Sequence, residues 1–108
     1  MSQSRKVILG LIDLDSVECS CRKRGLDIQK NMEVEMYYSK QVCNLVIDKQ
    51  IGFSMAINGT VTAHYDDIHT DKYATIIANY IEDAPSYNAY RVSERSETAH
   101  FVTLRLEV

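Results

Sequence analysis

The stretch IGFSMAINGTVTAHYDD, residues 51–67, decides the fold class. Two β-rich runs flank Asn58-Gly59, and an Asn-Gly pair in that setting favours positive φ at both turn positions, which specifies a type I′ hairpin. Counting back from such a turn pairs Ile57 with Thr60, Met55 with Thr62 and Phe53 with His64 on one face. The other face pairs Ala56 with Val61, Ser54 with Ala63 and Gly52 with Tyr65, so that the Tyr65 ring lies across a glycine. Neither face is purely polar, so both are expected to be covered.

Upstream, Val7 to Ile12 is a short run rich in branched residues, the pattern of a central strand covered on both faces. After Asp13 the reading changes to alternation, with Val17, Cys19 and Cys21 opposite Glu18, Ser20 and Arg22. That predicts a half-exposed strand ending in a turn at Arg22-Lys23-Arg24-Gly25. Met32 to Tyr38 alternates again, with Met32, Val34, Met36 and Tyr38 inward. Val42 to Ile47 fits a strand and a helix alike, since short apolar runs cannot be separated by periodicity.

Downstream, Thr70 reads as a helix N-cap with Asp71 in the first turn. Tyr73, Ile76, Ile77, Tyr80 and Ile81 then recur at helical spacing. The helix is expected to end near Asp83, because Pro85 cannot continue it. A last hairpin is expected from Tyr87 to Ser93, a charged turn at Glu94 to Glu97, and Ala99 to Val108, with His100, Val102, Leu104 and Leu106 on one face. Strands, a helix and two more strands make an α+β fold. The expected form is one domain over residues 1–108, a mostly antiparallel sheet of about six to seven strands with one main amphipathic helix on one face. One helix cannot cover both faces of such a sheet, so either the sheet curls on itself or its second face meets another subunit.

A chain of 108 residues, 45% hydrophobic, suits one self-sufficient core. Met1 to Lys6 reads as a polar lead without the apolar core of a secretory signal, and no apolar run approaches a membrane span, so a soluble, cytoplasmic protein is expected. In a reducing compartment the three cysteines are free thiols, and the Asn58-Gly59-Thr60 sequon is idle. A net charge of −3 supplies no field for tracking phosphate backbones, which disfavours nucleic acid.

Candidate chemistry concentrates in LIDLDSVECSCRKR, residues 11–24. Its "IDLDSV" resembles the strand-end Asp-x-Asp of the haloacid-dehalogenase-like phosphatases. That resemblance implies metal-assisted phosphoryl transfer, with Asp13 as nucleophile and Asp15 as acid/base. The family's further serine or threonine, lysine, acidic pair and doubly wound sheet have no counterpart here, and the competing reading is an acidic strand end. Cys19-Ser20-Cys21 lacks both the spacing and the second ligand pair of structural zinc, so the cysteines read as apolar fillers, and no metal or cofactor is expected. No nucleophile–base arrangement is marked. Arg22-Lys23-Arg24 beside the acidic stretch makes a mixed patch suited to protein contact.

A second likeness, "AHYDDIHTD" followed by "EDAPSY", is similar to the C-terminal half of the phage uracil-DNA glycosylase inhibitors, small acidic DNA mimics. The N-terminal half shows no such likeness, and the segment carries the strong helix. It implies a class of proteins that block an enzyme by occupying its site.

The leading expectation is a small non-enzymatic protein-binding domain. It is further expected to form a homodimer and to act as a viral or mobile-element inhibitor of a host nucleic-acid-processing or defence protein. The partner-facing residues are Asp13, Asp15, Glu18, Arg22, Lys23, Arg24, Tyr37 and Tyr65, tyrosine being enriched at interfaces. The alternative is a small-molecule or nucleotide-binding oligomer, or a minimal metal-dependent enzyme using Asp13 and Asp15.

Overall fold

The computed structural model describes residues 2–84 and 91–107, apart from the side chains of 91–93 and 107. Seven strands form one sheet in the order β2-β3-β4-β5-β1-β7-β6. They are β1 (Ser4–Gly10), β2 (Ile28–Glu35), β3 (Lys40–Ile47), β4 (Ile51–Met55), β5 (Val61–Asp66), β6 (Arg91–Glu97) and β7 (Phe101–Glu107). All neighbours are antiparallel except β1 and β7. Two helices, α1 (Leu14–Lys23) and α2 (Thr70–Asp83), pack together on one face. The fold is therefore α+β, with a second helix where a strand is read from the sequence.

The helix α1 replaces the alternating strand because its ends are built for a helix. Asp13 caps it, its carboxylate accepting from the Asp15 N–H at 3.0 Å and the Ser16 hydroxyl at 2.9 Å. Asp15 lies in the first turn and Arg22 and Lys23 in the last, both favourable to the helix dipole. At the far end Gly25, at φ +75°, donates to the Arg22 carbonyl at 3.1 Å, and Leu26 donates to that of Cys21 at 3.2 Å. This is a Schellman stop, and the left-handed conformation there favours glycine. Val17 and Cys21 are buried against the sheet, joined by the partly buried Leu14 at i, i+3, i+7. The basic run is thus a helix end rather than a free turn.

The 51–67 segment is a hairpin, but its register is one residue away from the Asn-Gly count. Phe53 pairs with Ala63, Gly52 with His64 and Met55 with Val61. Only Gly59 has positive φ, and the Ala56 N–H donates to the Thr60 carbonyl at 2.9 Å. That is a longer loop with a bulge at glycine, in which Asn58 keeps an ordinary backbone and its side chain accepts from the Thr60 N–H at 3.0 Å. Positive φ at two consecutive residues occurs instead at Asp48 and Lys49, between β3 and β4. The slip puts Phe53, Ala63 and Tyr65 together on the helix-facing side, where Tyr65 stacks on Tyr73 with ring centroids 4.6 Å apart. Gly52 faces the other way.

The remaining differences are local. Val42 to Ile47 is strand. Thr70 is the first helical residue rather than the cap, its hydroxyl donating to the Asp67 carbonyl at 2.7 Å after a short 3₁₀ turn. Glu94 to Glu97 lies within the edge strand β6, and the turn falls at residues 98–100; the charges suit an exposed edge. Expectations for Pro85 and for a strand starting at Tyr87 lie outside the described residues.

The second face of the sheet is covered in part by the sheet itself. Val34, Cys43 and Val46 form a small buried cluster with Met36 beside them, and Gly52 is the floor under it. The tip of the β2–β3 hairpin continues over β4 and β5, where the Tyr37 N–H donates to the Asp66 carboxylate at 3.1 Å. Of the residues read as inward, Val34 is buried and Met36 half-buried. Met32 and Tyr38 are exposed, because the hairpin bends across the face instead of lying flat in it.

Candidate functional site

The folded-over hairpin tip assembles an aromatic cluster that no local stretch of sequence contains. The Tyr38 ring lies 4.1 Å from that of His100 and 6.1 Å from that of Phe101, and Tyr37 meets Tyr38 edge-on at 6.3 Å. Tyr37, Tyr38 and Phe101 are 46%, 42% and 40% exposed, and His100 is also exposed. The tip is held from beneath by Asp66, which is 7% exposed and accepts from both the Tyr37 N–H and the Ser4 hydroxyl, the latter at 2.8 Å. Across the β6–β7 turn, Thr98 donates to the Phe101 carbonyl at 2.8 Å and receives the Phe101 N–H on its hydroxyl at 3.1 Å. The rings are thus presented by anchored backbone at little entropic cost for ordering.

The sequence-predicted residues separate into four groups. Tyr37 joins the aromatic cluster. Tyr65 does not: at 1% exposure it is core, because the hairpin register turns it toward the helices. Asp13 is occupied in capping α1, while Asp15 is exposed beside it. Among the described residues no three His, Cys, Asp or Glu side chains gather as metal ligands would. Glu18, Arg22, Lys23 and Arg24 form ion pairs along α1. Glu18 meets Arg22 at 2.8 Å and Lys30 at 2.7 Å, and the two cations hold its carboxyl below the usual range. Lys23 at 3.3 Å and Arg24 at 2.5 Å bracket Asp83 at the end of α2, and Asp83 is held well below the usual range by Arg24 first and the Ser20 hydroxyl second. These bonds tie α1 to α2.

One polar pair on the sheet's second face was not visible in the expected register. Ser54 Oγ lies 2.9 Å from His64 Nε2, and burial, aided by the charge of Lys6, pushes the His64 pKa down to about 4. The imidazole is neutral at pH 7. Among the described residues no carboxylate bonds the ring to orient it, so the pair lacks the third member of a nucleophilic triad. At the other end of β1 from the aromatic cluster, Leu11 follows the strand, Met55 ends β4 and Ile57 lies in the β4–β5 loop, all three exposed.

Among the described residues no helix is long and apolar enough to cross a membrane. Comparison of the chain with protein-family models, curated proteins and solved structures finds no match.

Proposed function

We propose that this chain is a non-enzymatic protein-binding domain whose principal contact surface is the aromatic cluster of Tyr37, Tyr38, His100 and Phe101. The observation that carries this reading is that two distant hairpin ends bring three large apolar rings together and leave them about half exposed. Solitary exposed apolar residues are ordinary on any protein, whereas a contiguous, anchored group with tyrosine at its centre has the make-up of an interface hot spot. Tyrosine hydroxyls and the His100 ring supply polar rims that let such a surface stay hydrated when free.

The test is affinity capture from the lysate of the host cell with identification by mass spectrometry, comparing the wild type with Tyr38→Ala and Phe101→Ala. One protein retained by the wild type and lost with both variants supports the reading. Equal capture by all three places the contact elsewhere and overturns it. In the inhibitor form of the proposal, the captured protein's activity falls on adding the wild type and is restored with the variants.

A further inference from the structure

The outward face of α1 is polarised along its length in a way that the aromatic surface does not use. Asp15, Cys19 and Lys23 stand at i, i+4 and i+8, one ridge of the helix, and all three line one cleft of about 350 Å³. Val17 and Cys21 are buried on the opposite side. With a rise of about 1.5 Å per residue, the acid and the base each sit about 6 Å from Cys19, on opposite sides of it. Glu18 is satisfied by Arg22 and Lys30, whereas Asp15 feels the charge of Lys30 but forms no ion pair of its own among the described residues. Lys23 holds Asp83 only at 3.3 Å, with its own side chain 68% exposed.

A twofold axis through Cys19, perpendicular to the helix, reverses α1 onto itself. It sets Asp15 against Lys23 of a second copy and Lys23 against the second Asp15, while Arg22 falls beside Ser16. Parallel alignment would oppose Asp15 to Asp15. We propose that α1 is the contact face of a symmetric homodimer in which antiparallel α1 helices cross at Cys19 and are closed by two Asp15–Lys23 pairs. A helix of ten residues, about 15 Å long, presents a face smaller than a stable interface needs, so the dimer is a weak one that forms only at high protein concentration. Cys21 and Cys43 are buried, with burial pushing both thiols up to about 11, which leaves Cys19 as the exposed thiol and a reporter of the contact.

Sedimentation velocity from about 10 µM to 1 mM on the wild type, Asp15→Lys, Lys23→Asp and the double exchange tests the register. Each single reversal makes like charges meet and is expected to weaken dimerisation about tenfold; the double exchange restores it to within about threefold. In parallel, diamide, a two-electron thiol oxidant, takes two protons and two electrons from a pair of Cys19 thiols and joins them as a disulfide. The wild type then runs as a dimer on non-reducing gels, Cys19→Ser does not, Asp15→Lys cross-links slowly and the double exchange recovers. Circular dichroism confirms that each variant is folded, and the neutral pair Asp15→Asn and Lys23→Gln, with a smaller loss, serves if a reversal is not. A monomer throughout the range, or a double exchange no better than the single variants, overturns the proposal. Tyr38→Ala leaves this equilibrium unchanged, so failure here is distinguishable from failure of the aromatic surface.

Discussion

Replacing Gly52 with alanine tests how the curled sheet covers its own second face. Gly52 lacks positive φ, so nothing in its backbone conformation requires glycine. Space does: an added Cβ would overlap the Cys43 sulfur, lie 2.8 Å from Val34 Cγ2 and 3.2 Å from Cys43 Cβ. Carbon atoms pack at about 3.5–4.0 Å, so the β2–β3 hairpin must lift by several tenths of an ångström or more, and both neighbours are only 1% exposed. The expected loss is about 1–3 kcal/mol, net of the ~0.5–1 kcal/mol that removing a strand glycine returns through chain entropy. Urea denaturation followed by circular dichroism reads this directly, with the slope unchanged. Adding Cys43→Ala, which alone costs about 1 kcal/mol for the space it leaves, should partly relieve Gly52→Ala, giving a favourable coupling of about 1 kcal/mol. A Gly52→Ala protein within about 0.5 kcal/mol of wild type, or strictly additive variants, would refute the packing argument.

Three further outcomes follow from particular contacts. His64 has a folded pKa of about 4, below its ordinary value near 6.5, so above about pH 6.5 it contributes no pH dependence; between 6.5 and 4 the unfolded chain takes up a proton that the folded one does not, and stability falls by about 3 kcal/mol in total. His64→Asn flattens that window, and an NMR titration midpoint near 6.5 would contradict it. Asp13→Ala loses about 1 kcal/mol with the α1 cap while Asp13→Asn retains most of it, and neither change alters calorimetric heats with magnesium or manganese if the carboxylate is a cap rather than a ligand. Tyr65→Ala costs about 3–5 kcal/mol in thermal or urea melts by emptying the space beneath Tyr73, a loss that a surface tyrosine would not show.

The strands of 51–67 and the helix from Thr70 are legible because each carries its own periodicity and punctuation. The α1 segment is legible in principle too. Asp13 as cap, opposite charges at its two ends, and Leu14, Val17 and Cys21 at helical spacing all point to a helix, but cysteine at alternate positions imitates a strand just as well over so short a run. The hairpin register was not legible, because Asn-Gly accepts both a two-residue turn and a longer loop ending in a glycine bulge. Burial of Tyr65 and Phe53 on one face selects between them. The acidic and basic residues of α1 were found by composition, and their neighbours were not.

By itself the sequence determined the α+β class, the amphipathic α2, the Asn-Gly hairpin and the run of opposite charges over residues 13–24, since all of these follow from local pattern and local backbone preference. Only the tertiary structure decided that the β2–β3 hairpin folds across the sheet, that Gly52 must stay small beneath it, and that Tyr38 meets His100 and Phe101. The Tyr38 contacts join residues more than half the chain apart, and the Gly52 contacts join side chains from three different strands. Their physical cause is the twist and curl by which a seven-stranded sheet with helices on one face removes the other face from water.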